Sequence, residues 1–229
     1  MSAGARTRIK ICCMGSVAEM ELAVAAGADA VGLVAQMPSG AGVIADDLAA
    51  EIARATPPPV ASFLLTQRAD AEAIAEHLTG VRATALQLVR HLEPAEYPRL
   101  RRRLPGVKIV QVVHVEDGSA LAIAKDYAVL ADALLLDSGR PGAKVAELGG
   151  TGRTHDWTVS RRIVEAVAVP VFLAGGLNPD NVAAAIAAVR PYGVDVCSGL
   201  RGGDGSLDAG ALSRFVRAVR GADMLQESL

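Results

Sequence analysis

A thiol, a carboxyl group and a set of glycine turns, each at the end of a short apolar run, are the parts of this sequence best suited to chemistry. Cys12 lies at the end of the run 8–13, and Asp137 closes the run 133–137. A thiol near a cation or a helix N-terminus can act as a general base. A carboxyl group shielded from water can keep its proton and act as a general acid. Facing each other, the two would move a proton on and off a sugar phosphate. Each also has a quieter role open to it, because a free cysteine is commonly a small core residue and an aspartate before a loop commonly orders that loop.

The glycine turns suit an anion. Ala174-Gly175-Gly176-Leu177 leads into a helix opened by Asn178-Pro179, Cys197-Ser198-Gly199 adds a second small-residue turn with a hydroxyl donor, and Gly149-Gly150-Thr151-Gly152 is a third candidate wall. Glycine lets backbone N–H groups approach a phosphate, and a helix N-terminus adds a favourable dipole. One pair alone would read as a tight turn; two pairs on neighbouring strand ends favour phosphate.

Hydrophobic periodicity supplies the elements that must position these groups. Residues 8–13 read as a strand, and 17–26 as a helix with Ser16 as N-cap and Gly27 as its stop. A strand at 29–34, a flexible stretch at 38–42, a helix at 45–55 ended by the prolines at 57–59, and a strand at 60–65 follow. Helices at 70–78, 94–104 and 119–130 alternate with extended runs at 84–89 and 107–115. The second half continues with a strand at 133–137, a Gly-rich loop at 138–153 and a helix at 158–167. Strands at 170–174 and 194–197 then alternate with helices at 179–189 and 209–219. Residues 1–7 and 222–229 read as frayed ends. Eight strand–helix units in 229 residues predict an α/β chain folded as a single (β/α)8 TIM barrel. An open doubly wound sheet is the alternative, but no GxGxxG follows the first strand. In such a barrel the reactive groups lie at the C-terminal ends of the strands, which selects Cys12, residues 34–37, 87–90, Asp137, Gly175, Gly176 and 195–199.

Composition narrows the partners. Of the residues, 51% are hydrophobic but only 3% aromatic, so Ala, Val, Leu and Ile supply the core, as strands buried on both faces require. With 23 Lys+Arg against 25 Asp+Glu the net charge is −2, which leaves no global field for nucleic acid or an anionic membrane. An anionic ligand must therefore be held locally. No apolar run reaches the about 20 residues of a membrane span, and the first residues lack a signal-peptide core. Cys12, Cys13 and Cys197 form an odd set, read as reduced thiols of a cytoplasmic protein. Arg99, Arg101, Arg102 and Arg103 read as a solvated helix face. His77, His114 and His155 lack metal-ligand spacing, so no metal site is expected.

These residues together resemble the phosphoribosylanthranilate isomerase family of tryptophan biosynthesis. Lys10-Ile11-Cys12 is similar to the family's opening K-I-C-G, and residues 134–138 to its L-L-L-D-S. Residues 149–157 are similar to G-G-T-G-K-T-F-D-W, and 173–182 and 189–199 complete the match, which runs from about Arg8 to Arg220. The resemblance implies a cofactor-free Amadori rearrangement on a (β/α)8 barrel, with Asp137 as general acid and Cys12 as general base. It further implies that Lys10, Gln87 and Asp195 contact a small phosphorylated aminoaldose, with Arg90 or His91 standing in after strand four, and that Gly175, Gly176, Ser198 and Gly199 hold its phosphate, with Gly150 as a further candidate wall. A monomer or homodimer is expected. The sequence departs from the family at four places. S-P-R-Y becomes residues 38–42 without the arginine, and Q-L-H-G becomes Gln87-Leu88-Val89-Arg90-His91. Cys13 replaces a glycine, and Arg201 replaces an acidic residue. A related isomerase for another phosphorylated aminoaldose and a non-catalytic sugar-phosphate barrel are the alternatives.

Overall fold

The apolar runs form strands that close on themselves. The computed structural model describes residues 6–37, 42–139 and 154–227. Within them the order is β1 (Arg8–Ile11), α1 (Val17–Ala25), β2 (Ala30–Val34), α2 (Asp46–Ala55), β3 (Ala61–Thr66), α3 (Ala71–Val81), β4 (Ala85–Leu88) and α4 (Glu96–Arg103). The chain continues with β5 (Lys108–His114), α5 (Ala120–Ala128), β6 (Ala133–Asp137), α6 (Trp157–Ala166), β7 (Val171–Leu173), α7 (Val182–Val189), β8 (Gly193–Val196) and α8 (Ala209–Glu227), with one 3₁₀ turn at Ser198–Leu200. Each strand pairs in parallel with the next, and β8 returns to β1, so the sheet is the expected (β/α)8 barrel.

Strand side chains alternate between two packing layers. One set, including Ile9, Val31, Leu64, Leu86, Ile109, Leu134, Leu173 and Val194, packs with helix residues such as Ile52, Ile74, Leu100, Ile163, Ile186 and Phe215. The other set fills the barrel: Ala30, Phe63, Ala85, Val110, Ala133, Leu135 and Phe172. The interior is narrow, so large residues need small neighbours. Phe63 and Phe172 meet edge to face at 6.1 Å, and alanines on β2, β4 and β6 leave the space they occupy.

Side-chain caps set several helix boundaries. Ser16 Oγ accepts from Glu19 N at 3.1 Å, confirming the first N-cap. Asp70 and Asp156 cap α3 and α6 in the same way. Several boundaries differ from the expected ones, three of them for reasons the structure shows. Helix α4 starts at Glu96, because Pro94 lies in a preceding turn closed by Tyr97 N on Pro94 O. Helix α7 starts at Val182, because Asn178 N donates to Asn181 Oδ1 and Asp180 N to Asn178 Oδ1, holding residues 178–181 in a turn. Helix α8 runs to Glu227, so the fraying expected over 222–229 is corrected for residues 222–227. At the other end, Thr7 is buried, its N donates to Asp223 Oδ1 at 3.1 Å, and Arg220 Nη1 donates to Thr7 O at 2.8 Å. Residues remote in sequence anchor one another, a contact that local pattern does not reveal.

The cysteine reading also changes. Cys13 and Cys197 form a disulfide with a Cα–Cα distance of 5.8 Å, and Cys12 remains free and buried. The β1–β8 register sets Ile11 beside Val196, which brings the segments that follow the two strands to one place. Spacing along the chain could not show this, since the two cysteines lie 184 residues apart.

Gly193 illustrates how tightly the barrel is filled. A Cβ there would lie 2.8 Å from the Phe172 ring and 2.9 Å from Arg8 O. Gly193→Ala should lower unfolding stability by about 1–3 kcal/mol in a denaturant titration, the usual cost of overpacking a rigid interior.

Candidate active site

Strand alternation places Lys10, and beyond it Cys12, on the interior side of β1, and the register sets Lys10 beside Asp195 of β8. Lys10 Nζ meets Asp195 Oδ2 at 2.9 Å, with both side chains buried. The Phe63 ring lies 5.6 Å from the ammonium. Gly32 of β2 makes room for this group: a Cβ there would come within 2.5 Å of Cys12 Sγ and 3.0 Å of Lys10 Nζ. Asp137 ends β6, which reaches β1 around the barrel through β7 and β8. It is buried, and its Oδ1 accepts from Ser138 N at 2.7 Å.

These four groups share one field. Burial pulls the Lys10 ammonium toward deprotonation, but Asp195 and Cys12 outweigh it, and the pKa ends above the ordinary lysine value. Burial pushes the Cys12 thiol up to about 11, with Lys10 opposing and Asp195 adding to the rise. Burial likewise raises Asp137 to about 6; the Ser138 N–H counters it and the Asp195 charge reinforces it. Asp137 is thus a carboxyl group that holds its proton well above the usual range, the property required of an acid.

Around them stand buried polar atoms without partners among the described residues: Asp195 Oδ1 and Gln87 Oε1. An unpaired buried acceptor is costly, and ligand sites are where such atoms occur. Arg90 lies exposed in the β4–α4 loop, whose backbone is held by Gln111 Nε2 donating to Arg90 O at 2.9 Å. His114, at the end of β5, is a mouth residue that the metal-spacing test passed over. Its Nε2 donates to Val89 O at 3.0 Å, its Nδ1 has no partner among the described residues, and burial lowers its pKa. Its place at a strand's C-terminal end was the available signal.

The glycine turns pack against one another. Gly175 and Gly176 have φ of 84° and 63°, left-handed values that favour glycine. A Cβ at Gly175 would lie 2.9 Å from Ser138 N, and one at Gly199 only 2.1 Å from Leu177 O. The turns after β6, β7 and β8 therefore form one wall, with Ser198 at its edge and Asn181 Nδ2 holding Gly176 O at 2.9 Å. Gly150, residues 38–41 of the stretch 38–42 and residues 140–153 of the Gly-rich loop lie outside the described residues. Arg201 does not line the mouth as a free cation: it bonds Glu19 and the backbone carbonyls of Cys12 and Cys13.

A buried thiol, a buried carboxyl group and a Lys–Asp pair at the C-terminal mouth, beside close-packed glycine turns, are the makings of a (β/α)8-barrel enzyme that moves protons. The profile of the N-(5'-phosphoribosyl)anthranilate (PRA) isomerases matches residues 9–218. The chain belongs to that family. It is 37% identical over 214 residues to N-(5'-phosphoribosyl)anthranilate isomerase of Methanocella arvoryzae, covering 93% of this chain and 98% of that one. Its fold is similar to the phosphoribosyl anthranilate isomerase of Thermotoga maritima, with a TM-score of 0.81, 29% identity and coverage of 94% and 99%. A solved complex of such an isomerase with reduced 1-(o-carboxyphenylamino)-1-deoxyribulose 5-phosphate superposes with a TM-score of 0.78 at 27% identity, covering 94% of this chain and 99% of that one.

Gly199 gives a direct test of the turn wall. Gly199→Ala forces the turns after β7 and β8 apart and should weaken the binding of inorganic phosphate by roughly tenfold or more, as lost charge-assisted hydrogen bonds do. Isothermal titration calorimetry measures it.

Proposed function

We propose that this chain catalyses the Amadori rearrangement of N-(5'-phosphoribosyl)anthranilate to 1-(2-carboxyphenylamino)-1-deoxyribulose 5-phosphate, the isomerisation named by its family, in tryptophan biosynthesis. The observation that carries this reading is the coupling of Cys12 and Asp137 to one buried Lys10–Asp195 pair. Asp137 gives its proton to the furanose ring oxygen as the C–O bond at the anomeric carbon breaks, leaving a protonated imine. Cys12 removes the proton from the neighbouring sugar carbon, whose electron pair neutralises the imine to an enolamine. The enolamine becomes the ketone by moving a proton from the enol oxygen to carbon. The reaction is an isomerisation with no net oxidation, so these residues need no redox partner.

Gly175, Gly176, Ser198 and Gly199, with Gly150 as a further wall, are the phosphate-holding residues in this reading. Asp195 and Gln87 offer their unpaired acceptors to sugar hydroxyls. Lys10 supports the thiolate, and Arg90 is the cation assigned to the aryl carboxylate. The ligand of the solved complex carries both a phosphate and a carboxyphenyl group, the two features this division of labour addresses.

The proton inventory has a consequence. With Asp137 at about 6 and Cys12 at about 11, the dominant neutral-pH form is carboxylate and thiol, while the working form is carboxylic acid and thiolate. Both contain the same number of protons, so the reactive tautomer is a minor population that stays constant between the two values. Below about pH 6 both groups are protonated and that population falls. The kcat/KM profile should therefore rise as pH climbs through about 6 and stay level through the mildly alkaline range, as read by a fluorescence assay of substrate consumption.

Asp137→Asn and Cys12→Ser should each lower kcat by about 10²–10⁴-fold, the range for a lost general acid or base, with the thermal midpoint maintained. Full activity in both variants, with phosphoribosylanthranilate at saturation, would overturn the assignment.

A further inference from the structure

Two of the departures from the family pattern, Cys13 for glycine and Arg201 for an acidic residue, meet each other in space. Cys13 has φ of 68°, a left-handed conformation that glycine adopts freely and that a residue with a Cβ keeps only when its surroundings hold it. Those surroundings are specific. Arg201 Nη2 donates to Cys12 O at 3.2 Å and also to Cys13 O, so consecutive carbonyls turn toward one guanidinium. Its Nη1 meets Glu19 Oε1 and Oε2 at 2.8 and 2.7 Å. Glu19 in turn accepts from Gly15 N and from Leu207 N, each at 2.8 Å. Both side chains are largely buried, at 11% exposure for Arg201 and 17% for Glu19. Burial raises the Glu19 pKa, but Arg201 and the two N–H groups outweigh that and hold it below the usual carboxylate value.

We propose that Arg201, aligned by Glu19, is a positioning residue for Cys12. The role rests on Cys12 being the base of the proposed reaction. Fixing the carbonyls of residues 12 and 13 fixes the two peptide planes that follow the Cα of Cys12 and of Cys13, and so the direction in which the Cys12 side chain leaves the backbone. That direction has little slack, because Cys12 Sγ sits in the space that any Cβ at Gly32 would invade. The cluster joins the turn after β1 to the segment after β8, which also carries Ser198 and Gly199. It thus sets the base relative to the phosphate wall. The Cys13–Cys197 disulfide spans the same gap covalently, so losing the guanidinium frees the peptide planes without separating the strands. A displacement of the base by about 1 Å is enough to cost on the order of 10²-fold in rate.

The test uses Arg201→Met, Arg201→Lys, Glu19→Gln and Cys12→Ser in the whole, disulfide-intact chain, reading kcat, KM, thermal midpoint and the affinity for inorganic phosphate. Arg201→Met should lower kcat by about 10- to 100-fold, while phosphate affinity changes less than about threefold; the thermal midpoint falls, because Glu19 loses its cation, but the chain stays folded at the assay temperature. Arg201→Lys, which retains a donor for one carbonyl, should recover part of the loss, and Glu19→Gln should fall between the two. A parent-like kcat in Arg201→Met overturns the proposal. So does a loss of kcat that only follows parallel losses of phosphate affinity and stability. If Arg201→Met does not fold, Arg201→Lys and Glu19→Gln decide by the same readings. Cys12→Ser separates the two levels: parent-like activity there removes the base assignment itself, whereas an inactive Cys12→Ser beside a fully active Arg201→Met removes only the positioning role.

Discussion

The ion pair between Lys10 and Asp195 is where the architecture and the chemistry of this barrel meet. An unpaired charge inside a protein is strongly destabilising, so Lys10 on β1 requires an anion on a neighbouring strand, and the register supplies Asp195 on β8. The pair spans the seam where the last strand returns to the first. It also distributes charge at the mouth: beside the larger effect of burial, which raises both pKa values, the ammonium favours the Cys12 thiolate and the Asp195 carboxylate favours the protonated form of Asp137. Replacing the pair with apolar residues would preserve packing and remove the field.

Space inside the barrel is allotted just as closely. Gly32 gives room to Cys12 Sγ and Lys10 Nζ, Gly193 to the Phe172 ring, and the interior alanines to two phenylalanines. The aromatic-poor, alanine-rich composition is the consequence of closing short parallel strands around a narrow axis, where few large rings fit. The glycines at the mouth serve a different purpose. Gly175 and Gly199 let three successive turns touch, and in the proposed reaction the backbone groups of these turns hold the substrate's phosphate in a chain whose net charge is only −2.

Closure makes the end of the chain structurally equivalent to its middle. Arg220 and Asp223 of α8 hold Thr7 ahead of β1, Cys197 is bonded to Cys13, and Arg201 grips the carbonyls of Cys12 and Cys13. These contacts flank the first strand, and the candidate base follows directly after it. The beginning of the chain is therefore held from the far end of the sequence as well as by β2, its neighbour in the sheet.

Much of this was legible in the residues. Eight apolar runs alternating with helical periods specified the barrel, because period and caps are local properties: Ser16, Asp70 and Asp156 cap where their side chains can reach their own backbone. Cys12, Asp137, Asp195 and the paired glycines could be picked out because strand ends in such a barrel face one mouth. The sequence alone determined, then, the order of elements, the barrel and the short set of residues at its mouth. The partnerships among those residues were decided by tertiary structure. Lys10 meets Asp195, Cys13 meets Cys197 and Arg201 meets Glu19 at separations of 185, 184 and 182 residues. Helix α8 continues past 219 because Thr7 waits beside it, and the Pro94 and Asn178 turns delay α4 and α7 through bonds that a hydrophobic pattern does not record. Local periodicity encodes which face of a strand is inward; only the register of a closed sheet determines which inward groups lie within bonding distance.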